Sequence, residues 1–177
     1  LRDPTLLRQV IERFDLPFAT TTMAKGLIDE MHPLSLGCIE RASRQVQRRL
    51  LRSADLIVGL GYDTIEVEYE AWIGDVPLVQ IDIEPADVAP SVRLAHQVTG
   101  GLDSSLRRLA AHAATTPRWN AREIATHRDA FAAALRPASA TFTAHAAIDA
   151  VRRALPPDGV LAFDVGAHTH QIASQWT

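Results

Sequence analysis

The chain has 177 residues, a formal net charge of −3 and a single cysteine. This length can bury a sizeable core in one domain or slightly more. The small net charge gives no electrostatic reason to expect nucleic acid or an anionic membrane as a partner. Cys38 alone excludes an internal disulfide and a cysteine-based zinc site, which suits a reducing cytoplasm. The sequence also contains no apolar run near the roughly 18 to 20 residues that cross a bilayer.

Helical stripes and apolar strands alternate through the first 113 residues. The stripes, with apolar residues at i, i+3 or i+4, are Leu7, Val10, Ile11 and Phe14; Cys38, Ala42, Val46 and Leu50; and Leu102, Leu106, Leu109 and Ala113. The predicted strands are LPFATT, DLIVGLG, VPLVQIDIE and AHQVTG. DLIVGLG lacks alternation, which is typical of a strand buried on both faces of a parallel sheet. This order predicts an open α/β layer.

The last part of the chain predicts the opening of a second α/β unit. Two further helical stripes are Ile124, His127, Phe131 and Leu135; and Ala144, Ile148, Val151 and Leu155. Pro137 ends the first of these helices, and Ser139 is the predicted cap of the second. The strand VLAFD and a helix beginning in VGAHTHQIASQW follow. We therefore predict a domain boundary near residues 137–139. Because the chain starts at Leu1 and ends within a helical pattern, we expect it to be part of a longer protein.

Two glycines at the end of DLIVGLG raise the question of a nucleotide site. Gly59 and Gly61 match part of a dinucleotide fingerprint, but Thr64 replaces the third glycine. Asp82 follows Gly61 at about the 20-residue offset at which a carboxylate binds a ribose hydroxyl. Strands also end in Gly or Asp because turns need these residues. The pattern leaves both interpretations open and supports NAD-type hydride chemistry less than nucleotide binding.

A second strand end, FDVGAH, is the other candidate site. Gly166 permits close approach to the backbone, and the N–H groups of Ala167 and His168 at a helix start could bind a phosphate. One such contact contributes typically ~0.3–1 kcal/mol, so several N–H groups must act together. The same residues also fit a purely structural strand–turn–helix connection.

Other chemistries find little support in the sequence. His168 and His170 form an H-x-H pair, but no cysteine or carboxylate run completes a set of metal ligands. The chain has no G-x-S-x-G elbow for Ser/His/Asp catalysis. The acidic stretch after DLIVGLG is typical of a solvated loop and contains Asp63, Glu66, Glu68 and Glu70.

A series of short motifs resembles thiamine-diphosphate-dependent enzymes of the acetolactate synthase type. The motifs are ATT, Lys25-Gly26, HPL, Gly37 and IDIEPA, followed by LAFDVGAH. The resemblance implies that residues 1–136 form a central Rossmann-like domain, an open parallel sheet of about six strands with helices on both faces. It places the first strand of that domain before Leu1. It also implies that residues 138–177 begin the α/β domain that binds the coenzyme diphosphate.

The resemblance also implies particular binding residues. The turn that contacts thiamine diphosphate would consist of Val165, Gly166, Ala167 and His168. In relatives whose central domain holds a nucleotide, the matching positions are Gly61, Tyr62, Asp82 and Ile83. FAD is not expected, because the arginine and the Phe-Asp-Asp run of FAD-binding relatives are absent and GYDTIEVEYEAW resembles the FAD-independent catabolic enzymes. Ala24 and Glu40, which replace glycines of relatives, crowd the space of a flavin. ADP remains compatible with these residues.

For the parent protein the resemblance implies a cytoplasmic transferase or lyase that uses thiamine diphosphate and Mg²⁺. It would decarboxylate a small 2-oxo acid and pass the remaining group to an acceptor. Its catalytic glutamate and its metal ligands would lie outside this chain, so the chain alone is expected to be inactive. Two alternatives remain: a central domain that binds ADP or a CoA nucleotide, as in relatives resembling oxalyl-CoA decarboxylase, and a structural domain that organises a homodimer or homotetramer.

Overall fold

Parallel strands flanked by helices make up the structure, a computed structural model that describes residues 1–63, 72–114, 116 and 119–177. The helices are α1 Pro4–Phe14, α2 Arg44–Leu51, α3 Leu102–Ala110, α4 Ala121–Leu135, α5 Ala144–Ala154 and α6 Ala167–Gln175. The strands are β1 Phe18–Thr20, β2 Ser35–Cys38, β3 Ile57–Leu60, β4 Leu78–Asp82 and β5 Leu94–Thr99. This arrangement confirms the predicted α/β, Rossmann-like class. None of the helices in the described ranges could span a lipid bilayer.

The strands of the described residues form two parallel sheets. One sheet pairs β1 with β2, and the other has the order β3-β4-β5. In the second sheet Ile57 lies opposite Leu78 and Leu60 lies opposite Ile81. The carboxyl ends of β3 and β4 therefore meet at one edge, which is where ligands bind in open α/β sheets.

The described residues contain two apolar clusters, and one of them joins residues of two predicted stripes. Trp72, Ile73, Val76 and Leu78 form one cluster, and Val46, Phe131 and Leu135 form the other. All four stripe residues of α4 are buried. Strand β3 differs from the prediction of burial on both faces, because Val58 is 47% exposed. Helix α3 packs against the neighbouring strand β4.

The predicted position of Cys38 in a helical stripe is wrong. Cys38 ends strand β2, opposite Thr20 of β1, and α2 begins only at Arg44. Its helical spacing to Ala42 and Val46 arises by coincidence, because pairing with β1 decides the conformation of residues 35–38. Burial also raises the pKa of the Cys38 thiol to about 12, so the thiol stays protonated and is unsuited to act as a nucleophile.

One strand predicted for the second half of the chain is not present in the structure. Residues 160–164 were expected to form the strand VLAFD, but they form no ladder with any described strand. Val160 is 90% exposed, and Val165 just beyond the segment is 91% exposed. A strand needs a hydrogen-bonded neighbour, and the described residues place none beside this segment. The helix predicted after it is confirmed as α6.

The predicted cap of α5 is also corrected. The side chain of Thr143, not that of Ser139, accepts a hydrogen bond from the backbone N–H of Ala146. Ser139 instead contacts Thr141 in the preceding turn. The predicted boundary at residues 137–139 falls in the connection between α4 and α5, and the division into two domains stays a prediction.

A Thr143→Ala substitution is expected to lower the free energy of unfolding by about 1 kcal/mol, because α5 loses its side-chain cap. The matched Ser139→Ala substitution removes a hydroxyl from an exposed turn and should change the free energy by less than about 0.5 kcal/mol. Denaturant unfolding of both variants measures the difference. Equal losses in the two variants would contradict the assignment of the cap.

One carboxylate joins α5 to the end of α4 and to α6. Asp149 of α5 accepts hydrogen bonds from Arg136 Nε and Nη2, each at 3.0 Å, and from Gln175 Nε2 at 2.6 Å. Gln171 Nε2 also donates to the carbonyl oxygen of Leu135 at 2.9 Å. The hydrogen bonds from Arg136, and then that from Gln175, hold the pKa of Asp149 below its ordinary value.

An Asp149→Asn substitution is expected to lower the melting temperature at pH 7 and to have a smaller effect at pH 3. A lowered carboxyl pKa stabilises the folded state above the unfolded pKa of about 3.8, and this contribution is lost as the pH falls through the folded value. Thermal unfolding at both pH values measures the loss, with Asp129→Asn on the exposed side of α4 as the control. If the melting temperature falls by the same amount at pH 7 and at pH 3, the negative charge of Asp149 does not account for the stabilisation.

Candidate functional site

The structure brings Val165, Gly166, Ala167 and His168 together in the turn that opens α6. Gly166 N–H donates to Thr169 Oγ1 at 3.1 Å, and Val165 N–H donates to Asp164 Oδ1 at 2.7 Å. Within the described part of the chain, the N–H groups of Ala167 and His168 have no acceptor. Both residues are exposed. Two free N–H groups at the start of a helix are suited to bind an anion.

Glycine at position 166 matters because it leaves room beside the backbone, not because the backbone conformation is unusual. Its φ of 174° and ψ of 178° are extended values that any residue adopts. A Cβ at this position would lie 2.8 Å from both Cε1 and Nδ1 of His168. The His168 ring therefore lies against the Gly166 backbone, and a side chain at position 166 would displace the ring.

The four residues of the candidate nucleotide site also come together, at the shared edge of β3 and β4. Gln80 Nε2 donates to the carbonyl oxygen of Tyr62 at 2.9 Å and lies 3.4 Å from Asp82 Oδ2. Asp82 Oδ1 accepts a hydrogen bond from Ile83 N–H at 2.6 Å. Thr64 lies outside the described residues, as do Glu66, Glu68 and Glu70 of the acidic stretch.

The chemistry of this edge suits a ribose better than a phosphate. Gly61 N–H donates to the carbonyl oxygen of Ile81 at 2.9 Å, so the sheet already uses it and it is not free for a phosphate. The Asp82 carboxylate can accept further hydrogen bonds from hydroxyl groups. Gly61 has a φ of +60°, which explains the glycine by turn geometry alone.

Gln80 belongs to the candidate nucleotide site at the edge of β3 and β4, but the sequence patterns did not indicate it. It is only 2% exposed, and it joins the middle of β4 to the turn after β3. A Cβ on Gly59 would lie 2.5 Å from Gln80 Oε1, so Gly59 leaves room for this buried amide. The available signal was one polar residue inside the apolar run VPLVQIDIE, because buried polar side chains need partners.

The H-x-H pair is divided between two different partners. His168 lies against Gly166, whereas His170 Nδ1 is 2.8 Å from Glu40 Oε1. The described ranges contain no group of three or more His, Cys, Asp or Glu side chains that could hold a metal ion. The two histidines therefore do not face a common site.

Comparison with known proteins defines the class to which this α/β chain belongs. Residues 4–109 match the family model described as "Thiamine pyrophosphate enzyme, central domain". Because the match covers more than half of the chain, the chain belongs to the thiamine pyrophosphate enzyme family.

Individual relatives include acetolactate synthases and a decarboxylase. The acetolactate synthase large subunit of Parasynechococcus marenigrum is 28% identical over 92% of this chain and 27% of its own length. The acetolactate synthase isozyme 1 large subunit of Escherichia coli is 25% identical over 93% of this chain and 30% of its own length. Oxalyl-CoA decarboxylase of Escherichia coli is 31% identical over 57% of this chain and 17% of its own length. The chain thus spans less than a third of each relative.

Proposed function

We propose that this chain works as part of a thiamine-diphosphate-dependent enzyme similar to acetolactate synthase. The parent enzyme decarboxylates a 2-oxo acid and transfers the remaining group to an acceptor. Family membership and the two synthase relatives, which align with more than nine-tenths of the chain, support this class. The observation that carries the proposal is the pair of free N–H groups of Ala167 and His168 at the start of α6.

The residues of this turn fit a diphosphate. The two N–H groups point from a helix N-terminus, where the helix dipole also favours negative charge. The turn is accessible to solvent, and Gly166 has no side chain to occupy the approach to it. When bound, thiamine diphosphate supplies the electron sink for the cleavage of the carboxyl group. Ala167 and His168 would hold its phosphate oxygens and so fix the position of the coenzyme tail.

The remaining catalytic groups are placed elsewhere in the parent enzyme. The resemblance places the Mg²⁺ ligands in another segment of the parent. The same holds for the catalytic glutamate that the resemblance implies. The chain alone is accordingly inactive, and the parent works as a homodimer or homotetramer in the cytoplasm.

The parent enzyme works without FAD. At the edge of β3 and β4, Gly61 N–H donates within the sheet and leaves one fewer amide for a pyrophosphate. Just after β2, the Glu40 carboxylate contacts Thr22 Oγ1 at 2.9 Å and His170 Nδ1 at 2.8 Å, so this space already holds a negatively charged side chain. A flavin dinucleotide carries its own negative charge and would have to displace these contacts.

A second candidate function is the binding of ADP or of the nucleotide part of CoA by the central domain. Two observations favour it: the relative named oxalyl-CoA decarboxylase, and the position of Asp82 and Tyr62 beside each other at the edge of the sheet. Asp82 would accept hydrogen bonds from the ribose, while phosphates would extend toward solvent.

Activity assays of the intact parent protein and of the 177-residue chain test the first proposal. The intact protein should release CO₂ from at least one 2-oxo acid of a series beginning with pyruvate, and only with both thiamine diphosphate and Mg²⁺ present. The chain alone should release none under the same conditions. Release without the coenzyme, or equal release by the chain alone, would contradict the proposal.

Thermal unfolding with added ligands separates the second candidate. A ligand at 100 times its dissociation constant raises the free energy of unfolding by about 2.7 kcal/mol. Stabilisation by ADP and not by FAD would support a nucleotide site at Asp82, and Asp82→Asn should abolish it. No response to either ligand would leave the central domain with a structural role.

A further inference from the structure

Both ends of α6 are bonded to the segments that follow β1 and β2. Near its start, His170 Nδ1 lies 2.8 Å from Glu40 Oε1. Just after its end, the Lys25 ammonium donates to the carbonyl oxygen of Trp176 at 2.8 Å. Glu40 and Lys25 both belong to the residues that match the family's central domain, whereas α6 lies beyond that match.

The two side chains that make these contacts are themselves held in place. Thr22 Oγ1 donates to Glu40 Oε2 at 2.9 Å, and Arg41 N–H donates to Glu40 Oε1 at 2.7 Å. Lys25 is paired with Glu30. The side chains of Glu40 and Lys25 are only 16% and 20% exposed. Because both charges are partly buried and already oriented, their contacts with α6 are less screened than those of surface pairs.

Attachment of α6 does not depend on these contacts alone. Ile172 and Ala173 are buried, and Gln171 and Gln175 bond to α4 and α5. Glu40 acts instead at His170, which lies within one helical turn of the free N–H groups of Ala167 and His168. Glu40 thus contacts the part of α6 that carries the candidate diphosphate turn.

We propose that Glu40 is a positioning residue that fixes the start of α6 on the central domain. Lys25 holds the residue just after the other end of the same helix. The Glu40–His170 pair holds the N–H groups of Ala167 and His168 in the orientation that binds a diphosphate. This inference rests on the proposed function for its consequence in coenzyme binding. A ligand or substitution that moves the segments after β1 and β2 would therefore change the affinity for the coenzyme.

A double-mutant cycle on the intact parent protein tests the role of the pair. Glu40→Ala and His170→Ala should each weaken thiamine diphosphate binding about threefold to tenfold, and the double variant should be no weaker than the worse single variant. The turnover rate at saturating coenzyme should stay within about twofold of the original. His170→Gln, which keeps a side-chain donor, should restore most of the affinity.

A second Glu–His pair provides the matched control. Glu12 Oε1 lies 3.4 Å from His32 Nε2, in a pair that does not involve α6. Glu12→Ala should leave the coenzyme affinity unchanged. Additive losses in the Glu40/His170 cycle, or the same loss in Glu12→Ala, would overturn the inference.

Hydrogen exchange in the absence of coenzyme decides the inference separately from the proposed function. Glu40→Ala should speed the exchange of backbone amides in residues 169–172 at least about threefold and leave α4 unchanged. Unchanged exchange in α6 would overturn the positioning role whatever the coenzyme does. If the original protein binds no thiamine diphosphate while exchange responds as expected, the proposed function fails and the fixing of α6 by Glu40 is supported.

Discussion

A Gly37→Ala substitution is expected to lower the free energy of unfolding by about 2 to 4 kcal/mol. Gly37 lies in β2 with a φ of +87°, a conformation that L-residues adopt only with strain. A Cβ there would lie 2.6 Å from Cε1 of Phe131, which is buried in the cluster with Val46 and Leu135. The new methyl group would therefore separate β2 from α4, and the position of α6 depends on both.

Gly26→Ala provides a control that separates the two causes. Gly26 has a similar φ of +81°, but a Cβ there would have no neighbour within 4 Å. The free energy of unfolding of this variant should fall only by the conformational cost of a non-glycine residue, about 1 kcal/mol. Denaturant unfolding of both variants measures the difference. Equal losses would contradict the close packing of Phe131 against Gly37.

A Gly166→Ala substitution is expected to weaken thiamine diphosphate binding by the parent protein at least about tenfold, or about 1.4 kcal/mol. The backbone at Gly166 accepts any residue, and the atoms that a Cβ would meet belong to the exposed His168 ring. The ring can rotate away, so the melting temperature without coenzyme should hardly change. The added methyl group and the displaced ring would then obstruct the approach to the N–H groups of Ala167 and His168.

The matched control is Gly101→Ala at the start of α3. Gly101 is the N-cap of that helix, and a Cβ there would lie 3.3 Å from Ser104 Oγ, an ordinary side-chain neighbour that can move. Calorimetric titration with the coenzyme should give the original affinity for this variant. Unchanged affinity in Gly166→Ala would contradict the assigned turn, as would a loss fully explained by unfolding.

Much of the fold follows from patterns within the sequence. The α4 stripe of Ile124, His127, Phe131 and Leu135 identified a helix and its buried face correctly, because one face of a helix repeats every three to four residues. Strand β2 could not be found in this way. It has four residues and one glycine, and only its pairing with β1 makes it a strand. The same limit applies to VLAFD. Its apolar composition predicts a strand, but it forms no ladder with any strand of the described residues.

The candidate sites were predictable only in part. That Gly61 lies beside the end of β4 follows from the rule that parallel strands end at a common edge. That Gly61 N–H donates to Ile81 depends on the register of β3 and β4, which spacing does not give. The Glu40–His170 contact joins residues 130 positions apart, and no local pattern could predict it.

A crystal structure of the intact parent protein with thiamine diphosphate and Mg²⁺ would show whether the turn at residues 165–168 binds the diphosphate. We expect phosphate oxygens about 2.7–3.2 Å from the backbone nitrogens of Ala167 and His168, with the Glu40–His170 contact retained. A coenzyme bound at another segment, or a turn at residues 165–168 closed by packing against the rest of the protein, would contradict it.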